Sequence, residues 1–182
     1  RTRVDRIKTV VEQGAGIVKA MLGFSRSSDQ QPGLWDVNSV VDDTLKLLGD
    51  RFLRDADIRF ERAHGLPEVR ASRDFLQQII LNFIFNAVES LTRQKQVILA
   101  TRRLDKLPSG MVLMPAAAAG YVAVSVRDFG SGIPPEHMSR IFEPFFTTKA
   151  FSARRGTGLG LSMVYELAKN LEAGLAVESV VD

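Results

Sequence analysis

The segment that most narrows the possible folds is IILNFIFNAVES, residues Ile79 to Ser90. A helix carrying Ile79, Ile80, Leu81, Phe83, Ile84, Phe85, Ala87 and Val88 is apolar almost all round, which is the signature of a core helix. Asn82 and Asn86 interrupt it four residues apart and therefore share one face. A buried amide left without a partner costs about 1–3 kcal/mol. Two of them at this spacing either bond to backbone or to each other inside the core, or serve a ligand.

The flanking sequence supplies elements to cover such a helix. Val4, Ile7, Val11, Val18 and Met21 recur at three- and four-residue steps, which predicts an amphipathic helix ending near Leu22 to Arg26. Its apolar seam needs a partner helix or the face of its own domain. SSDQQPG, Ser27 to Gly33, is turn-rich and marks a boundary. A second helix is expected from an Asn38 cap through Val40, Val41, Leu45, Leu47 and Leu48. DIRFERA, EVRA, QVILATRR, YVAVSVRD and LAVES read as strands. Ser72 is placed to cap the Asn-bearing helix. The alanines of PAAAAG are open to a short helical turn. PPEHMSRIF starts a short helix with proline in its first turn, and TGLGLSMVYELAKNL is a helix with a glycine-rich lead-in. Helices and strands are mixed without a strict βαβ rhythm. The expected fold is α+β: a two-layer sandwich of a mixed, mostly antiparallel sheet with helices on one face, preceded by the amphipathic helix.

Composition excludes several functions. The 182 residues hold 24 basic against 21 acidic side chains, a net charge of +3 that points to neither nucleic acid nor membrane. There is no cysteine, so disulfides and thiolate metal sites are out, and only two histidines, His64 and His137. No apolar run is long enough to span a bilayer. The sequence opens without methionine and reads as a fragment.

Three further motifs carry chemistry. In RDFGSGI, Arg127 to Ile133, a strand ends in Asp128 and is followed by Gly130 and Gly132. Such glycines admit positive φ or a closely approaching ligand, and Asp128 could accept from an exocyclic amine; an ordinary turn has the same pattern. In RRGTGLGLS, Gly156, Gly158 and Gly160 alternate into a helix start, where backbone N–H groups favour an anion. Lys149, Arg154 and Arg155 add positive charge, or form a solvated basic loop. IFEPFFTTK, Ile141 to Lys149, reads as a loop pinned by phenylalanines, with a lid beyond them or with core filling alone. The amides of Asn82 and Asn86 are neutral hard donors suited to Mg²⁺, which often travels with a nucleotide.

In this order the motifs resemble those of the catalytic ATP-binding domain of bacterial sensor histidine kinases, within the superfamily that includes gyrase, the Hsp90 chaperones and the MutL repair proteins. NFIFNAVES resembles the N box, DFGSGI the first glycine box, IFEPFFTTK the F box and GTGLGLS the second glycine box. The style is that of the nitrogen-regulation and hybrid kinases. VEQGAGIVKAMLGFSR resembles the second helix of the dimerisation and phosphoacceptor hairpin. The resemblance divides the chain into 1–26, part of that hairpin; 27–37, a linker; and 38–182, the ATP-binding domain, truncated at its C-terminus.

It implies roles residue by residue. Asn86 holds Mg²⁺ on the ATP phosphates, and Asn82 supports metal or phosphate from the preceding turn. Asp128 accepts the adenine amine, with Gly130, Gly132 and Ile133 beside the base. Gly156, Thr157, Gly158, Leu159 and Gly160 line the triphosphate, and Lys149 contacts it from the lid. Related ATPases carry a glutamate where this chain has Asn82, and an amide cannot act as a general base. That favours holding ATP for transfer over hydrolysing it. Glu89 replaces the lysine of many sensor kinases. Neither histidine matches the acceptor motif, so the γ-phosphoryl group is expected to go to a histidine on a helix absent from this sequence, in the same or a partner subunit. A response-regulator receiver domain would take it next. The implied whole is a homodimer with this domain in the cytoplasm, either cytoplasmic or attached to the inner membrane. The alternatives are a nucleotide-binding scaffold without kinase activity, or a protein-serine kinase or ATPase of the same superfamily.

Overall fold

The computed structural model describes residues 32–53, 56–148 and 157–181, with backbone alone for 49–53. The expected amphipathic helix over 1–26 lies outside the described residues, as do Lys149, Arg154, Arg155 and Gly156.

Strand β1, Gly33–Trp35, pairs antiparallel with β3, Val69–Ala71, and the Trp35 indole N–H donates to the Ala71 carbonyl at 3.1 Å. Helix α1 spans Val37–Leu53. Asp36 caps it, not Asn38: its carboxylate accepts from the Asn38 backbone N–H at 2.9 Å and the Ser39 hydroxyl at 3.1 Å. The Asn38 side chain is committed elsewhere. It donates to the Ala63 carbonyl at 2.9 Å and accepts from the Thr101 hydroxyl at 2.7 Å. The Thr101 oxygen accepts in turn from the Ala63 N–H at 3.0 Å. This closed polar triangle ties the start of α1 to the chain at Ala63 and to Thr101.

That sheet has the order β2–β4–β6. β2, Asp57–Glu61, runs parallel to β4, Gln96–Leu104, and β6, Tyr121–Asp128, runs antiparallel to β4. Val97, Leu99 and Thr101 of β4 point inward and are buried. Ile58 and Phe60 flank them on one side, and Val122, Val124 and Val126 on the other.

Helix α2, Arg73–Ser90, lies in the layer against this face and carries the Asn pair. Ser72 caps it as the sequence implies, its hydroxyl accepting from the Phe75 N–H at 3.4 Å, and Asp74 complements the positive helix start. α2 buries Ile80, Ile84, Ala87 and Val88 against the α1 valines and β4. Ile84 is fully enclosed, and burying a side chain of that size stabilises by about 1.5–3 kcal/mol. An Asp43–Arg73 ion pair at 2.6 Å ties α1 to the start of α2. Helix α3, Gly160–Asn170, packs on α2 through Met163, Val164, Leu167 and Ala168.

The architecture matches the expected α+β sandwich, and among the described residues three of the four strand pairings are antiparallel. Some local expectations do not hold. The alanines after Pro115 form no helix. PPEHMSRIF gives only a 3-10 turn, Pro135–His137, followed by irregular turns. LAVES contributes two residues, β7 at Leu175–Ala176, paired with the unforeseen β5 at Met111–Leu113 and not with the central sheet. Among the described residues no helix is long and apolar enough to cross a membrane.

Candidate functional site

Four polar side chains of helix α2 stand four residues apart: Gln78, Asn82, Asn86 and Ser90. Four residues is just over one turn, so they form a stripe along the side where α3 and the end of β6 approach. The Asn82 amide N–H donates to the Gln78 carbonyl at 2.9 Å, with the Met163 sulfur 3.8 Å away. The Gln78 amide lies 2.8 Å from the same sulfur. With its nitrogen engaged, Asn82 turns its oxygen toward the start of α3.

Gly160 explains how close that start comes. A Cβ added there would lie 3.2 Å from Asn82 Oδ1 and 3.5 Å from Asn86 Nδ2. Asn86 Nδ2 is buried and has no hydrogen-bond partner among the described residues. Buried polar atoms are nearly always paired, so this amide beside a helix N-terminus stands out as a candidate binding group. Rotating the amide would present its oxygen in place of its nitrogen. α3 has no side-chain N-cap: Leu159 occupies that position, leaving the first backbone N–H groups without one.

The glycine-rich lead-in is clasped by the phenylalanine-rich segment. Gly158 has φ +68°, and a Cβ there would stand 2.5–2.8 Å from the Phe145 backbone. The Phe145 N–H donates to the Gly158 carbonyl at 2.9 Å, and Phe145 also has a positive φ, 67°. Two phenylalanines anchor the clasp. Phe142 meets Tyr165 of α3 with ring centres 5.8 Å apart. Phe146 meets His137 edge-on at 5.4 Å, with Arg140 over its face at 4.6 Å. Phe145 faces outward, 64% exposed. The anchoring expectation therefore holds for two of the three rings. His137 is a packing residue and His64 lies exposed in a loop.

At the other end of the stripe, Asp128 closes β6. Its Oδ1 accepts from the Gly130 N–H at 2.9 Å and from the Ser90 hydroxyl at 2.9 Å. Gly130 sits so tightly on the end of α2 that a Cβ would collide with the Ser90 carbonyl and hydroxyl. Gly132, with φ +70°, presses against the Val180 carbonyl in the same way, and the Ile133 N–H donates to Ser179 Oγ at 2.8 Å. Contacts within the chain thus account for both glycines.

The fold brings Asn82, Asn86, Gly158, Leu159 and Gly160 together. It puts Asp128, Gly130, Gly132 and Ile133 at the far end of α2, while Thr157 is exposed beside the lead-in. Sequence reasoning missed Ser90, Gln78 and Met163. The four-residue stripe running on from Asn82 and Asn86 was a usable signal for the first two; nothing local marks Met163. Among the described residues no three His, Cys, Asp or Glu side chains converge on a common point. The available donors are amide oxygens and backbone N–H groups. That set fits a hard cation sharing its shell with phosphate and water, and does not fit zinc.

An α+β sandwich with a core-helix amide pair facing a glycine-rich helix start defines a class of nucleotide-site proteins, and the comparisons place the chain within it. Residues 71–181 match the family described as histidine kinase-, DNA gyrase B-, and HSP90-like ATPase, and the chain belongs to that family. It is 33% identical over 167 residues to the sensor kinase CckA of Brucella abortus, covering 91% of this chain and 18% of that protein. The crystal structure of full-length ShkA in complex with AMPPNP superposes with a TM-score of 0.61 at 27% identity, covering 92% of this chain and 34% of that one. The histidine kinase ThkA, solved in complex with the response regulator TrrA, shares the fold with a TM-score of 0.66 at 23% identity, over 94% of this chain and 45% of that one. The chain spans under a third of the length of the curated relatives it matches.

Proposed function

We propose that this chain is the ATP-binding catalytic domain of a two-component sensor histidine kinase. It binds ATP with Mg²⁺ and presents the γ-phosphoryl group to a histidine on a helix outside this sequence, in the same or a partner subunit of a homodimer. The phosphoryl group then passes to an aspartate of a response-regulator receiver domain. The observation that carries the reading is the orphan Asn86 amide, buried beside Asn82 at the uncapped glycine start of α3. The AMPPNP complex of a relative and the regulator complex of a fold neighbour support the ligand and the partner.

The reading assigns a role to each residue. Asn86, assisted by Asn82, would hold the cation, which neutralises phosphate charge when bound. The N–H groups of Gly158, Leu159 and Gly160 cradle the phosphates at the positive end of α3. Asp128 accepts from the adenine amine, and Gly132 and Ile133 line that end. By their motifs, Gly156 and Thr157 are assigned to the glycine-rich phosphate lining and Lys149 to a phosphate contact from the lid. Phosphoryl transfer asks for positioning and electrostatics more than for covalent chemistry, and this site offers those two things. Asn82 cannot deprotonate water, so bound ATP is kept for the acceptor. The domain works on the cytoplasmic side, in a protein that is either cytoplasmic or attached to the inner membrane.

Calorimetry with Mg²⁺ and AMPPNP tests the site. Binding to the 182-residue chain, abolished by Asn86→Ala, is expected. Absence of binding to the unaltered chain would favour a scaffold without kinase function.

A further inference from the structure

The end of α2 and the turn after β6 are stitched together more densely than a helix end and a loop require. The Ser131 N–H donates to the Ser90 carbonyl at 3.3 Å, Leu91 and Gly130 form an isolated antiparallel bridge, and Gly130 has no room for a Cβ because of Ser90. At the centre of this seam Ser90 Oγ lies 2.9 Å from Asp128 Oδ1 and 2.7 Å from the Ala87 carbonyl. A hydroxyl has one proton, and a carboxylate is the stronger acceptor of the two.

We propose that Ser90 is a positioning residue for nucleobase selection. Its hydroxyl and the Gly130 N–H together take up Asp128 Oδ1, which fixes the plane of the carboxylate and leaves Oδ2 as the acceptor for the exocyclic amine of adenine. The proposal rests on Asp128 being the adenine acceptor. Without Ser90, the carboxylate keeps one anchor on its own turn and is free to rotate about χ2. Its remaining oxygen is then no longer held where a base amine would meet it. The backbone contacts of Ser90 survive substitution, so the seam itself persists.

The test compares ATP with the 5′-triphosphate of purine riboside, which lacks the exocyclic amine, by calorimetry on the 182-residue chain. Ser90→Ala is expected to weaken ATP about three- to tenfold, the scale of one hydrogen bond, while leaving the amine-free analogue unchanged. Ser90→Thr, which keeps the hydroxyl, should retain the preference for ATP, and thermal unfolding of each variant checks that it is folded. An unchanged ratio of the two affinities in Ser90→Ala, or a parallel loss for both ligands, overturns the proposal. Asp128→Asn separates the two levels. If it abolishes the preference and Ser90→Ala does not, only the role of Ser90 fails. If it leaves the preference intact, the adenine assignment fails and the role of Ser90 with it.

Discussion

Replacing Asn86 with leucine should make the protein more stable and unable to hold nucleotide. In the folded chain Asn86 Nδ2 is removed from water with no partner among the described residues, a state that costs about 1–3 kcal/mol. Leucine has a similar branched shape, so the 3.5 Å spacing to the Cβ position of Gly160 is preserved without new crowding. It is also a better helix former by a few tenths of a kcal/mol. The expected net gain is about 1–2 kcal/mol, or a rise in Tm of roughly 2–8 °C for a chain of this size. The assay is thermal unfolding with and without Mg²⁺ and AMPPNP. The unaltered chain should gain about 2.7 kcal/mol from ligand at a hundred times its Kd, and Asn86→Leu nothing. A lower Tm without ligand, or a ligand-induced rise that survives the substitution, would refute the reasoning that this amide is kept for binding at a cost to folding.

Gly158→Ala forces a left-handed φ on a residue with a Cβ and drives that Cβ into the Phe145 backbone, so a loss of about 2 kcal/mol or more is expected. Hydrogen exchange at the Phe145 N–H should accelerate with it. Thr101→Val removes the oxygen that serves both Ala63 and Asn38, and urea unfolding should show a loss of about 1–3 kcal/mol. The Asp43 carboxyl is held below its usual range, first by its hydrogen bond from Lys46 and then by that charge, with Arg73 adding to both effects. Its contribution is complete above the unfolded carboxylate pKa and is lost as pH falls through the lowered folded value. Unfolding midpoints of the unaltered chain and Asp43→Asn should therefore converge as the solution is acidified below about pH 4.

The core of the fold was legible because local signals and tertiary demands agree there. Ser72 caps α2 where the sequence places the cap, and the alternation in DIRFE, QVILATRR and YVAVSVRD survives as paired strands. Agreement failed where a long-range contact outbid a local one. Asn38 and Asp36 are both good caps by type. Asp36 took the role because the Asn38 amide is needed by Ala63 and Thr101, 25 and 63 residues away. β5 and β7 are too short for any periodicity, and they exist because they pair with each other. The site divides along the same line. Asn82, Asn86 and the glycines announce themselves by spacing, whereas Met163 under Gln78 becomes visible only when α3 packs on α2.

The measurement closest to the central claim is transfer from γ-labelled ATP by this chain once a phosphoacceptor hairpin helix is joined to it. Acid-labile, base-stable label on histidine, lost in Asn86→Ala, is the expected result. Acid-stable label on serine, or labelling that persists without the Asn86 amide, would contradict the account.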